Sequence, residues 1–154
     1  MKKFFSPAYM VLVVLTFTMA SGSGCGGRDP NRPRLVPATG RVTLAGKPLA
    51  GAVLTFVPTG ATRGSDAEAR TDPQGRYELA SQHGRGAAVG SYRVIIRKWV
   101  MPDGSDYVPE AGVGPEDSPA RQVLPPRYSD FQQTTLTATI PEGGSSTLDF
   151  ALTP

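Results

Sequence analysis

Cysteine, histidine and tryptophan each occur once in the 154 residues, as Cys25, His83 and Trp99. One cysteine excludes an intramolecular disulfide. One histidine excludes the usual zinc sites, which draw on several His and Cys ligands. It also leaves a Ser-His-Asp triad no base other than His83. There is no G-x-S-x-G elbow. The stretch GRGAAVG at 84–90 misses the dinucleotide fingerprint, because Val89 stands at the third glycine position and a strand pattern follows. Charge of one sign is scarce as well. Of the 16 Lys and Arg, Lys2 and Lys3 fall in a segment read below as removable, which leaves 14 against 13 Asp and Glu, a net charge of +1. That balance excludes an electrostatic case for nucleic acid. No apolar run reaches the roughly 20 residues that a membrane-crossing helix needs, and no apolar stripe of helical period is evident beyond residue 24.

What is present begins with an export signal. Lys2 and Lys3 form a short positive region, and the largely apolar run from Met10 to Ala20 follows. Its length suits the core of a signal peptide rather than a membrane span. Small residues come next, Ser21 to Gly24, just before Cys25. Small residues ahead of a lone cysteine resemble the lipobox of bacterial prolipoproteins. The resemblance implies diacylglycerol transfer to the Cys25 thiol and cleavage before it. Ser23 and Gly24 match the pattern, whereas Gly22 stands where that family usually carries Leu or a similar residue. The other reading is cleavage after Ala20, which would leave a secreted protein with a free thiol. Such a thiol is a liability in an oxidising compartment, and acylation removes it.

The expected organisation is therefore a signal peptide over residues 1–24, a lipidated Cys25 with a tether over 25–37, and a folded domain over 38–154. The tether is rich in Pro, Gly and Arg. Arg28, Arg32 and Arg34 would lie near lipid headgroups. Gly26 is not the Asp that marks inner-membrane retention in familiar Gram-negative sorting, so the outer membrane is expected over the inner one.

From Thr39 onward the apolar residues alternate. Val42 with Leu44, Leu54 with Phe56, and Tyr77 with Leu79 each share a face. So do Tyr92, Val94 and Ile96, then Leu136, Ala138 and Ile140, then Leu148, Phe150 and Leu152. This is half-buried strand patterning. Gly and Pro number 18 and 15, normal for strands joined by many turns. The tetrad Asp72-Pro73-Gln74-Gly75 is a turn with Pro where φ is preset and Gly where φ turns positive. About seven strands are predicted, as an all-β sandwich or barrel.

The stretch GRVTLAGKPLAGAVLTF (Gly40 to Phe56) resembles the opening strand pair of carboxypeptidase regulatory-like domains. TDPQGRYEL (Thr71 to Leu79) resembles their T-D-x-x-G-x-Y hallmark, and VGSYRV (Val89 to Val94) their next strand. With the last two strands the likeness covers about 38–152. It implies a seven-stranded Greek-key β-sandwich of the transthyretin, or prealbumin, type. Small bacterial envelope lipoproteins share this layout. The fold hosts unrelated roles, so the likeness implies little about activity.

Residues 100–133 depart from the pattern as a long loop, of which Pro102 to Ala120 is expected to be mobile and Leu124 to Asp130 ordered. Trp99, Tyr107 and Tyr128 lie in or beside it and are the candidate ligand or partner contacts. Trp99 could also simply pack beneath the loop. Asp103, Asp106, Glu116 and Asp117, with Asp66, Glu68 and Asp72, are calcium candidates by residue type only, since EF-hand spacing is absent. No metal, no cofactor and no catalytic residue is expected. The leading expectation is a non-enzymatic, membrane-tethered envelope module that engages a protein or a surface. A carbohydrate-binding module is the alternative, and a transthyretin-like hydrolase a weaker third.

Overall fold

The computed structural model describes residues 33–109 and 113–154. The export segment, Cys25 and residues 26–32 of the tether lie outside the described residues. The alternating stretches form strands, but turns and offsets divide them into fourteen segments among the described residues. These are β1 (Leu35–Val36), β2 (Thr39–Leu44), β3 (Lys47–Pro48), β4 (Val53–Thr59), β5 (Ala67–Arg70), β6 (Arg76–Glu78), β7 (Ala80–Ser81), β8 (Gly84–Arg85), β9 (Ala87–Ala88), β10 (Gly90–Arg97), β11 (Trp99–Val100), β12 (Arg121–Gln122), β13 (Thr137–Ile140) and β14 (Phe150–Leu152). The helical content is one 3-10 turn, Pro115–Asp117, and one α-turn, α1 (Pro126–Ser129). Among the described residues no helix is long and apolar enough to cross a membrane.

The chain is all-β. A six-stranded sheet runs β13-β10-β4-β5-β7-β8, with every neighbouring pair antiparallel. A second sheet has β2 at its centre. There β14 lies parallel to β2 on one side, and β3 and β6 lie antiparallel on the other. The two sheets meet through aromatic rings. Phe56 of the first sheet stands 6.3 Å from Tyr77 and 6.0 Å from Phe150 of the second, centroid to centroid. Around them Val42, Leu54, Leu79, Tyr92, Val94, Ile96, Ile140 and Leu152 are buried, so each predicted apolar face points inward. Burying such side chains contributes about 1.5–3 kcal/mol each.

The segment assigned to the tether reaches into this body. Leu35–Val36 pairs with Ala87–Ala88, Val36 is buried, and the Pro37 carbonyl accepts the Ser145 N–H at 2.9 Å.

The residues behind the family resemblance all hold the backbone in place. Ala45 and Gly46 have φ of 50° and 76°, so both central residues of the β2–β3 hairpin turn are left-handed, as a tight two-residue turn between twisted strands requires. The Thr71 hydroxyl accepts the Ala52 N–H at 2.8 Å and donates to the Leu49 carbonyl at 2.6 Å, which fixes the chain entering β4. The Asp72 carboxylate accepts the N–H groups of Gln74 at 2.9 Å and Arg76 at 2.8 Å. Gly75 follows at φ 72°, and a Cβ there would stand 2.5 Å from the Val42 carbonyl oxygen. The Tyr77 hydroxyl donates to the Leu148 carbonyl at 2.5 Å, tying β6 to the chain that leads into β14. Gly40 is needed because that same carbonyl occupies the space its Cβ would fill.

Candidate functional site

The outer face of the six-stranded sheet carries a row of side chains set by register. Arg70 of β5 faces Val53 of β4, which faces Arg97 of β10. The next row out is Glu68, Thr55 and Ile95. Strand alternation turns these residues away from the core that Leu54, Phe56 and Ile96 enter. Ile95 is buried too, at 5% exposure, so this face of β10 is covered rather than open.

The long loop builds a wall over that floor. β11 pairs with β12 on one side and, by a bridge from Val100 to Asp106, with the returning chain on the other. A tight turn closes this hairpin, with the Gly104 N–H on the Met101 carbonyl at 2.9 Å and the Tyr107 N–H on the Trp99 carbonyl at 3.1 Å. The Asp103 carboxylate holds the turn by accepting both the N–H and the hydroxyl of Ser105, at 2.9 and 2.6 Å. The stretch from Pro102 to Ala120 thus carries several local hydrogen bonds among its described residues.

Two contacts dock the wall and a third braces it from within. The Lys98 ammonium, 7% exposed as a residue, donates to the Ala50 carbonyl at 2.6 Å and pairs with the Asp106 carboxylate. Arg70 Nη2 donates to the Tyr107 carbonyl at 2.6 Å. The Tyr107 hydroxyl donates to the Val113 carbonyl at 2.8 Å. Between wall and floor lies a groove of about 330 Å³. Trp99, Tyr107, Val113 and Glu116 line one side, and Val53, Glu68, Arg70 and Arg97 the other. The volume falls at the lower end of small-ligand sites, which run from about 300 to 1,000 Å³.

Trp99 is half-buried there and Tyr107 is 8% exposed, so the two form a wall and not a flat platform. Arg97 uses its Nε on the Ser129 carbonyl at 3.0 Å. Neither Arg70 nor Arg97 has a carboxylate within ion-pairing distance among the described residues, where the two ion pairs are Arg76–Asp72 and Lys98–Asp106. Each guanidinium therefore retains N–H donors beside an aromatic ring.

Tyr128 lies elsewhere. It sits in α1, packs into the core, and its hydroxyl accepts the Thr153 N–H at 3.1 Å beside the Thr153 hydroxyl. The Thr153 hydroxyl and N–H, then Arg127, favour the phenolate and bring its pKa down to about 8. The three aromatic candidates are thus split, with Trp99 and Tyr107 on the groove and Tyr128 pinning the C-terminal strand. The sequence offered no sign of Arg70 as a groove residue, nor of Lys98 and Asp106 as the pair that docks the wall. Besides Trp99 and Tyr107, Arg97 was legible as an outward position of β10.

His83 is half-buried in the β7–β8 turn, with its Nε2 3.4 Å from Gln82 Nε2. Among the described residues no three His, Cys, Asp or Glu side chains gather at metal-ligand range. Asp72, Asp103 and Asp106 are instead occupied by Arg76, Ser105 and Lys98. A wider, shallower basin of about 700 Å³ lies over Arg41, Asp72, Arg76 and Asp149. Two of its three carboxylates already serve the fold, since Asp72 holds its turn and Asp149 accepts the Arg41 N–H at 2.8 Å. The groove is the better candidate because it keeps donors and a half-open aromatic uncommitted. Comparison with family models, curated proteins and solved structures returned no match for the chain.

Proposed function

We propose that the chain is a non-enzymatic cell-envelope lipoprotein, held to the membrane through Cys25, whose β-sandwich engages an envelope protein or surface at the Trp99 groove. The proposal includes a Greek-key arrangement of the carboxypeptidase regulatory-like, transthyretin-related kind. The observation that carries it is the groove itself: an aromatic wall and two arginines with spare donors, built by the loop that departs from the strand pattern. His83 lies in the β7–β8 turn and is not among the residues that line the groove, which favours a binding role over hydrolysis there. Two measurements test the reading. Palmitate labelling should depend on Cys25, and equal labelling of Cys25→Ala would reject the anchor. A photo-crosslinking residue at Thr55, on the groove floor, should capture envelope material that the same residue at Gln74 does not. Equal capture at both positions would reject the groove.

A carbohydrate partner is the second reading. It is favoured by Trp99 standing beside Glu68, Arg70 and Arg97, since a sugar takes an aromatic face together with polar partners. A glycan array separates the two: sugar binding lost in Trp99→Ala would select it.

A further inference from the structure

We propose that the groove takes an extended peptide segment of a partner protein in which an acidic residue stands two positions from a basic one. This rests on the groove being the binding site, as proposed above, and not on the anchor.

The floor sorts its charges by row. Arg70 and Arg97 flank Val53 in one row, and two residues along the strands Glu68 and Thr55 stand in the next. Ile95 completes that second row but is buried, so its open part belongs to Glu68 and Thr55. Residues i and i+2 of a strand share a face and lie about 7 Å apart. A cationic row is therefore followed, one such step away, by an anionic position. Glu116 brings a second carboxylate from the wall.

These charges are not spent on one another. Among the described residues neither Glu68 nor Glu116 makes a side-chain hydrogen bond or an ion pair, although Arg70 is next to Glu68 on the same face. Glu68, Arg70 and Glu116 are exposed, and Arg97 is half-buried. Arg97 uses its Nε on the Ser129 carbonyl, which leaves both Nη nitrogens to meet a carboxylate end-on. Arg70 uses an Nη2 donor on the Tyr107 carbonyl and keeps its others.

The charge pattern selects the occupant. The two arginines and two glutamates sum to zero, so the groove has no net attraction for a polyanion. The step between opposite charges equals the same-side repeat of an extended chain. A segment lying along the strands, in either direction, can thus set an acid on the arginine row and a base on Glu68 at once. Two acids would put one of them against Glu68, and two bases would put one against the arginines; such like-charge contacts are what reject wrong partners. Trp99, Tyr107 and Val113 supply the apolar side of the groove, against which the stems of the bound side chains can lie.

The test titrates the full chain in detergent with blocked alanine-based pentapeptides and reads the fluorescence of Trp99, the sole tryptophan. The peptide with Glu and Lys at its second and fourth positions should give a saturable change. It should bind roughly tenfold more tightly than peptides with two Glu or two Lys there. Glu and Lys at adjacent positions fall on opposite sides of an extended chain and should lose a similar factor. Glu68→Lys should move the preference to the two-Glu peptide, a gain that only a folded groove can show. Equal affinity for all the peptides, a wild-type preference for two Glu, no saturable change with any peptide, or an unchanged preference in Glu68→Lys would each overturn the proposal. If one of these occurs while the crosslinker at Thr55 still captures envelope material that the one at Gln74 does not, the charge pattern fails and the groove stands. Equal capture at the two positions removes the groove and this proposal with it.

Discussion

Asp106→Asn should cost more stability than Lys98→Met, although Lys98 is the more deeply buried partner. The Lys98 side chain is 9% exposed and that of Asp106 43%. Taking the charge from Asp106 leaves a buried ammonium without its counter-charge, with the amide oxygen and the Ala50 carbonyl as neutral acceptors. A hydrogen bond to a charged group contributes about 1.5–3 kcal/mol. Water reaching the half-exposed site returns part of that, so a loss of about 1–2 kcal/mol is expected. Lys98→Met instead keeps the apolar stem, deletes the buried charge, and leaves a carboxylate that water can solvate. The Ala50 carbonyl loses its donor, and the net cost should be about 0.5–1 kcal/mol. In the double variant no charge is stranded, so the cycle should show coupling of about 1 kcal/mol. For a body of about 120 residues each kcal/mol moves the melting temperature by about 3–6 °C. Urea unfolding followed by far-ultraviolet circular dichroism, together with the fluorescence of Trp99, reads both the body and the wall. A larger cost for Lys98→Met, or additivity of the two changes, would refute the claim that this pair docks the loop.

Gly75→Ala should destabilise by about 2–3 kcal/mol, from a left-handed backbone and a Cβ pressed on the Val42 carbonyl; thermal melts check it, and a loss below about 0.5 kcal/mol would contradict the turn geometry. Phenolate absorbance should show one tyrosine ionising near pH 8, abolished in Tyr128→Phe, because Thr153 and Arg127 favour the charged ring. The folded value lies below the unfolded one of about 10, so this group adds stability as pH rises from about 8 to 10 and none below. Tyr77 and Tyr92, whose values burial pushes up, should ionise last. At Asp72 burial alone pushes the pKa up, but hydrogen bonds from Arg76 and Gln74 together hold it below its usual value. Its contribution is therefore present above about pH 4 and lost as pH falls further, and Asp72→Asn should flatten that acid limb in a melting series.

The strands were legible because their signal is local. Each alternating pair, from Val42 and Leu44 to Phe150 and Leu152, has a buried face, and burial of that face fixes its register. The turn at Asp72–Gly75 was legible for the same reason, since its proline and glycine act through their own φ angles. The order of strands was not written locally. The parallel pairing of β14 with β2 joins residues about a hundred positions apart, and no periodicity encodes it. Leu35 and Val36 read as tether because two apolar residues among Pro and Arg carry no period, and they join the body through pairing with β9, distant in sequence.

The groove was illegible for a different reason. Alternation along β10 predicts that Ile96 is inside, Arg97 outside and position 98 inside, which holds, but it gives no reason for the inward residue to be a lysine. Lys98 is buried because Asp106, the Ala50 carbonyl and the loop between supply what water would have given its ammonium. A buried cation is affordable only with such partners, and partners eight and forty-eight residues away leave no trace in the pattern around position 98. The motif residues that sequence reading finds most readily, Gly40, Thr71, Asp72, Gly75 and Tyr77, are therefore those already spent on holding the backbone. Residues with capacity left for a partner must be sought where the pattern stops. In this chain that place begins at Lys98, and the first side chain beyond it is Trp99.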